Sequence, residues 1–298
     1  MIRGGRALCL SPDPPMSLLR HIRLCNTYKA ERFVPLWHDG QRLGLVRRDN
    51  AEILRRFPAV FEVTAEDVRL VAQGGFADLS AAIDDVVERL VADGLIHKWR
   101  NEFFAASPGW QQRPHFKLDR GAVAFFGVRA YGVHLNGYLR KGRQLKMWVG
   151  RRAPDKQVAP DKLDNLVAGG IAYEHGLNAT LIKEAHEEAN MTRALVARAV
   201  PVGAVSYRME TPPGLRDDVL FAYDLETPAD FVPKCLDGEC VGFTLEDASA
   251  MIALVREGDA FKFNVNLILI DFALRHGLVT PEDPDYLELV TGLRQPAD

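Results

Sequence analysis

Three glutamates at helical spacing are the residues of this chain best placed to do chemistry. They lie in the stretch from Gly169 to Met191, GGIAYEHGLNATLIKEAHEEANM. Residues three and four apart share a helix face, so Glu184, Glu187 and Glu188 point the same way. Ile182, Ala185 and Ala189 fall on another face, suited to packing on a sheet. Like charges this close repel, by roughly 0.2–0.5 kcal/mol per pair on an isolated helix. A divalent cation turns that repulsion into attraction. Mg²⁺ or Mn²⁺ suits the set, because such hard cations take carboxylate oxygens, keep several waters and share substrate phosphates. Acid-rich helix faces are also commonly just solvated. The preceding Gly169-Gly170 shifts the balance, since backbone without side chains admits a ligand closely. A glycine loop feeding clustered carboxylates suits metal-assisted displacement at phosphorus.

The stretch resembles the Nudix box, Gly-x5-Glu-x7-Arg-Glu-U-x-Glu-Glu-x-Gly-U, where U is a bulky aliphatic residue. Gly169 matches the first position, and Glu184, Glu187 and Glu188 match the helix glutamates that bind catalytic cations in the family. Four positions depart: His175 replaces the loop glutamate, Lys183 the arginine, Ala185 an aliphatic residue and Asn190 the second glycine. Lys183 keeps the charge of arginine without its two-pronged pairing. Arg129 to Tyr138, Trp148 to Arg152, Lys162 to Asn165, Asp237-Gly-Glu239 and Phe272 to Gly277 are similar to one Nudix branch, often named thiamine pyrophosphokinase-related. That branch carries an N-terminal domain of unknown function, which Gly94-Leu-Ile-x3-Trp-Arg-Asn-Glu102 resembles. The resemblance implies a Mg²⁺- or Mn²⁺-dependent hydrolase of a small-molecule diphosphate. Some members of the branch convert thiamine diphosphate, and preferentially its oxidised forms, to the monophosphate. Nucleoside diphosphate derivatives are the next substrate class. The altered box leaves open a binding or regulatory module without turnover. An isomerase of isopentenyl diphosphate is disfavoured, because Cys235 and Cys240 flank a turn.

On the resemblance, the metal ligands are Glu184, Glu187 and Glu188, and Glu239 joins them as a further ligand or general base. A turn acid such as Glu239 is otherwise simply solvated. Substrate contacts are expected from Arg129, Arg151, Gly169, Gly170 and Lys183. Arginine matches phosphate oxygens well. Alternation puts Arg151 and Arg152 on opposite faces, so only one readily faces a site on one side of the sheet. Ordinary surface pairing is the competing reading for these arginines. Asn165 is placed to brace the glycine loop, His175 to face solvent, and His134 and Trp148 to pack.

The elements that must position these groups fall into two segments. Asp49-x-x-Glu52 reads as a capping box opening a short helix that stops at Pro58. A second short helix is expected over Val63 to Ala72, and a longer one capped by Ser80 and ended by Gly94. Trp99 to Pro114 reads as loop, which sets a boundary between 116 and 117: an α+β N-terminal domain over 1–116 and a Nudix domain over 117–298. In the second segment, Val123 to Tyr138 and Leu145 to Gly150 form a β-hairpin about Lys141-Gly142-Arg143. A helix follows over Ala179 to Ala189. Strands are expected over Val200 to Tyr207, Val219 to Leu225 and Cys240 to Phe243. A helix capped at Thr244-x-x-Asp247 runs to Arg256, and a last one spans Val265 to His276. The fold class is α/β, an α/β/α sandwich with a mixed sheet, preceded by the small domain.

Composition agrees with a globular protein: 298 residues, 47% apolar, 26% charged and a net charge of −3. That balance argues against general nucleic-acid binding, which goes with a basic excess. Residues 1–58 hold 11 Lys/Arg against 5 Asp/Glu, a solvated basic face or a wall facing an anion. Cys9, Cys25, Cys235 and Cys240 are too few and irregular for a disulfide framework. Met1 to Pro15, with Arg3 and Arg6, lacks the apolar run of a signal peptide. Val265 to Leu274 is broken by Asp271 and falls short of the ~20 residues of a membrane helix. A cytoplasmic location is therefore expected, and Nudix proteins often form homodimers.

Overall fold

A computed structural model describes residues 17–294. Cys9 and the Met1–Pro15 segment with Arg3 and Arg6 lie outside the described residues.

The first unit contains α1 (Leu19–Cys25), β1 (Phe33–His38), β2 (Gln41–Arg47), α2 (Arg48–Leu54), β3 (Phe61–Val63), β4 (Val68–Leu70), α3 (Phe76–Ala92), β5 (Phe103–Ala106), β6 (Phe116–Asp119) and α4 (Val123–Phe126). Its strands pair in the order β2-β1-β4-β3, with β5-β6 as a separate hairpin. Their inner faces and α3 share a core that includes Leu36, Ile83, Leu90, Phe116 and Phe126.

Several expectations change here. Val63 to Ala72 is not a helix: Val68, Arg69 and Leu70 alternate buried, exposed, buried, the period of a strand. There is no capping box at Asp49: α2 starts one residue earlier, and Asp49 instead accepts from Arg47 Nε and the Asn50 N–H. Ser80 lies inside α3, its hydroxyl donating to the Phe76 carbonyl at 2.6 Å. The cap is Gly75, whose N–H donates to Asp78 Oδ2 at 2.9 Å. The boundary between 116 and 117 falls inside β6, and the core of the first unit continues to Val128.

The second unit contains β7 (Arg129–Lys141), β8 (Gln144–Arg152), β9 (Leu163–Asp164), β10 (Val167–Gly170), α5 (Leu177–Ala189), α6 (Arg193–Val196), β11 (Val200–Thr211), β12 (Gly214–Glu226), β13 (Cys240–Asp247), α7 (Ala248–Glu257), α8 (Val265–Arg275) and α9 (Tyr286–Gly292). The sheet runs β11-β12-β7-β8-β13, with β10 on β7 and β9 on β8. It is mixed, because β12 and β7 are parallel while the other pairs are antiparallel. Helices α5 and α6 cover one face, packing on Val133, Leu135 and Trp148. Helices α7, α8 and α9 cover the other, over Met147, Val149 and Leu220. The result is an α/β/α sandwich. The strand expected from Val123 is a turn of helix first, and Gly127 at φ 58° redirects the chain into β7. The cap of α7 is Asp247 itself, which accepts from the Ser249 and Ala250 N–H groups.

The units interlock. Leu18, Leu19, Ile22 and Cys25 pack into the core around α8 rather than into the first unit. The early arginines do not form one solvated face: Arg20 pairs with Asp259 at 3.2 Å and Arg32 with Glu210 at 2.8 Å, both acids of the second unit. Among the described residues, no helix is long and apolar enough to cross a membrane.

Candidate active site

Strand β10 sets the site. Val167, Ala168, Gly169 and Gly170 pair with Leu135, His134, Val133 and Gly132 of β7. Beyond Gly170 the chain is held twice: the Ile171 N–H donates to the Tyr131 carbonyl at 2.8 Å, and the Tyr173 N–H to the Phe103 carbonyl of the first unit at 2.7 Å. The Tyr173 ring stacks on Phe76, with centroids 5.0 Å apart. Helix α5 then buries Leu181, Ala185 and Ala189, four residues apart, against the sheet. Leu181 takes the inner place expected of Ile182, which is half-buried. Asn190 ends the helix at φ 50°, a left-handed position that asparagine tolerates better than most residues.

Gly169 and Gly170 are glycines because other groups occupy the space of their side chains. A β-carbon on Gly169 would sit 2.5 Å from Glu184 Cδ, so the Glu184 chain lies directly on the strand. One on Gly170 would sit 2.7 Å from Phe104 Cζ and 3.8 Å from Glu102 Oε1. The first unit therefore closes against the glycine strand.

One turn along α5, Glu188 Oε2 accepts the Ala168 N–H at 2.8 Å. Burial pushes the Glu188 carboxyl well above its ordinary range, and the charges of Asp164, Glu184 and Glu239 push the same way. Glu184 is raised too, first by burial, with Lys183 opposing and Glu187 and Glu102 adding. Glu187 is more open, at 40% side-chain exposure, and meets Lys183 Nζ at 2.6 Å. Lys183 also lies 3.1 Å from Glu184 Oε1. Burial disfavours its ammonium, and the two carboxylates more than reverse that effect.

A cavity of about 20 Å³, room for one water-sized sphere, opens beside Glu188. Its wall includes Glu239, Asp164, Arg152 and Cys240. Glu239 is ion-paired with Lys156. Arg152, only 13% exposed, binds Asp164 Oδ2 at 2.6 Å. Burial would raise Asp164, but Lys262 and Arg152 hold it below its ordinary range. Burial raises the Cys240 thiol, so it stays protonated rather than a nucleophilic thiolate. Behind the cavity, the Asn165 amide accepts from His134 Nδ1 and donates to Asn136 Oδ1, both at 2.7 Å. The fully buried His134 is pushed down to about 4 by burial, with Lys262 contributing.

The structure thus brings Glu184, Glu188, Glu239, Gly169 and Gly170 together, with Glu187 and Lys183 at the rim. It does not bring Arg151 in: that side chain is 55% exposed and pairs with Asp161 at 2.8 Å. The inward member of the pair is Arg152, since β8 directs it to the α5 side. Arg129 is held in a two-pronged pair by Asp217, at 3.1 and 2.9 Å. Sequence reasoning missed Asp164, Glu102 and Phe104 as neighbours of the site. The Trp-Arg-Asn-Glu102 and Lys162 to Asn165 stretches carried Glu102 and Asp164 only as parts of a resemblance, and nothing signalled Phe104.

The donor set fits a hard divalent cation. Two half-buried acids one helical turn apart are destabilised in their charged forms, and a third carboxylate stands beside them. Positive charge is the missing component, and Lys183 supplies part of it. The three glutamates do not yet converge. Among the described residues, the group of three acid, histidine or cysteine ligand atoms within 4.8 Å of one another is His38, Asp39 and His115, in the first unit. There the two Nδ1 atoms hydrogen-bond directly at 2.7 Å, which leaves no gap for an ion between them.

A family model described as a domain of unknown function, DUF4743, matches residues 17–130. The chain is 36% identical to "Nudix hydrolase 20, chloroplastic" of Arabidopsis thaliana, over 99% of this chain and 82% of that protein. It is 35% identical to "Nudix hydrolase 24, chloroplastic" of the same plant, over 93% and 77%. Among solved structures, the Nudix domain of Shewanella oneidensis NrtR, complexed with ADP-ribose, is similar at 12% identity and a TM-score of 0.40, covering 53% of this chain and 93% of that one.

Proposed function

Because the chain belongs to the Nudix hydrolase family, we propose that it is a metal-dependent hydrolase of a small-molecule diphosphate. The observation that carries this reading is the placement of Glu184 and Glu188. They sit one turn apart over the glycine strand; burial raises both, and neighbouring carboxylates add to it, Glu187 and Glu102 at Glu184, and Asp164, Glu184 and Glu239 at Glu188. A bound cation would favour the charged form of both, as the Lys183 ammonium does at Glu184 and the Ala168 N–H at Glu188.

In this reading Glu184, Glu187 and Glu188 hold Mg²⁺ or Mn²⁺. When bound, the metal lowers the pKa of a coordinated water and offsets negative charge on the diphosphate. The chain's own residues do the rest. The Gly169-Gly170 backbone keeps the approach to the helix clear of side chains. Lys183 swings between the carboxylates and a substrate phosphate, carrying positive charge to either. Arg152 offsets the charge of Asp164 in the cavity wall. Glu239, in the wall of the same cavity and ion-paired with Lys156, accepts the proton of the attacking water.

The substrate we favour is thiamine diphosphate or an oxidised form of it, hydrolysed to the monophosphate. The likeness of Arg129–Tyr138 and Asp237–Glu239 to the thiamine pyrophosphokinase-related branch supports this choice. A specific observation favours a second reading, a binding module without turnover: Lys183 already bridges Glu184 and Glu187 where a cation would sit. Incubation with thiamine diphosphate, its oxidised analogues and nucleoside diphosphate derivatives separates the two. Monophosphate formed only with Mg²⁺ or Mn²⁺ supports the hydrolase. Thermal stabilisation by these compounds with no product supports the module.

A further inference from the structure

Beside the carboxylates, three aromatic rings from separate stretches of chain meet on one sheet face. Trp110, in the β5–β6 connection of the first unit, lies 4.8 Å from Tyr131 and 4.5 Å from Phe221 between ring centroids. Tyr131 and Phe221, on the adjacent strands β7 and β12, are inclined by only 15° to each other. Both are half-buried, while Trp110 is 37% exposed. A large ring kept partly in water at the junction of two units forgoes much of the burial that usually holds such residues in place.

The sheet fixes where these rings stand relative to the acids. Alternation puts Tyr131 on the same face as Val133 and Leu135, which pack under α5. Val133 pairs with Gly169, the glycine beneath Glu184. Tyr131 is two residues further along β7, ~7 Å from Val133. Its own carbonyl anchors the chain as it leaves Gly170. A flat apolar surface therefore stands one short step from the carboxylates, on the same side of the sheet. A diphosphate ester spans such a step, with its phosphates at α5 and its organic group over the rings.

We propose that Trp110, backed by Tyr131 and Phe221, is the platform on which the ring of the substrate stacks. The ligand class is then a diphosphate ester of a flat heteroaromatic group, and the first unit selects it. The proposal rests on reading α5 as the diphosphate site. Aromatic stacking tolerates many flat rings and is lost when the side chain is cut back to alanine.

The test compares wild type, Trp110→Phe and Trp110→Ala on three diphosphates: thiamine diphosphate, adenosine diphosphate and the ringless isopentenyl diphosphate. Trp110→Ala is expected to raise KM for whichever ring compound is hydrolysed by ~10-fold, with kcat within about threefold. Trp110→Phe restores most of the loss, and any hydrolysis of isopentenyl diphosphate is unchanged. Equal loss on ringed and ringless compounds, or no change on either, overturns the platform and leaves Trp110 as packing between units. Tryptophan emission, titrated with the ring compounds without added metal, gives a readout independent of turnover. Quenching in wild type that disappears in Trp110→Phe supports the platform even if nothing is hydrolysed, in which case only the hydrolase reading fails. Identical titrations of wild type and Trp110→Phe overturn the platform.

Discussion

His134→Gln should change how stability depends on pH, in a direction and by an amount the structure sets. His134 is buried behind the cavity, and burial pushes its pKa from 6.5 down to about 4. Between those values the unfolded chain binds a proton that the folded chain refuses, so stability falls as pH falls. A shift from 6.5 to about 4 corresponds to about 3 kcal/mol in full, of which about 2 kcal/mol is lost between pH 7 and pH 4.5. Glutamine cannot titrate. At pH 7 the variant is less stable than wild type, because it loses the bond to Asn165. At pH 4.5 that gap shrinks by about 2 kcal/mol or reverses. Urea unfolding of both proteins at pH 7, 5.5 and 4.5 measures it. The same gap at every pH would refute the claim that His134 is held neutral by burial.

Three further substitutions address the site and its surroundings. Gly169→Ala places a β-carbon against the Glu184 chain, so that side chain must move. The expected cost is about 1–3 kcal/mol of stability, with a loss of hydrolysis of ~100-fold, the penalty for a displaced catalytic group. Unfolding and steady-state rates check this, and a wild-type kcat would contradict it. Arg152→Ala removes the close partner of buried Asp164 and should reduce both stability and turnover. Arg151→Ala, at an exposed pair, should leave stability and turnover close to wild type. Parallel measurement of the two decides which arginine serves the site.

The box was legible because its signal is local. Glycines, a 3.6-residue period and an asparagine at the helix end are all properties of neighbouring residues, and α5 lies within two residues of its expected start. The small elements of the first unit were harder. Val63 to Ala72 holds the last residue of β3 and all of β4, and the pairing of β4 with β3 and with the distant β1, rather than local propensity, decides its form. Alternation showed that Arg151 and Arg152 point apart, but only the paired sheet shows which side α5 covers. The contributions of Phe104 and Trp110 were invisible for the same reason, and Glu102 showed only as part of a motif. They meet the second unit through long-range packing, as does α1, which leaves its own unit to cover α8 on the other face of the sheet.

On the function proposed above, the α5 carboxylates hold a metal for diphosphate hydrolysis. Phosphorus NMR of thiamine diphosphate, with wild type and Glu188→Gln across a Mg²⁺ titration, tests it most directly. Wild type is expected to form monophosphate in a Mg²⁺-dependent way, and Glu188→Gln to form none above background in a protein that remains folded. Hydrolysis at the wild-type rate by Glu188→Gln, or equal hydrolysis without any metal, would contradict it.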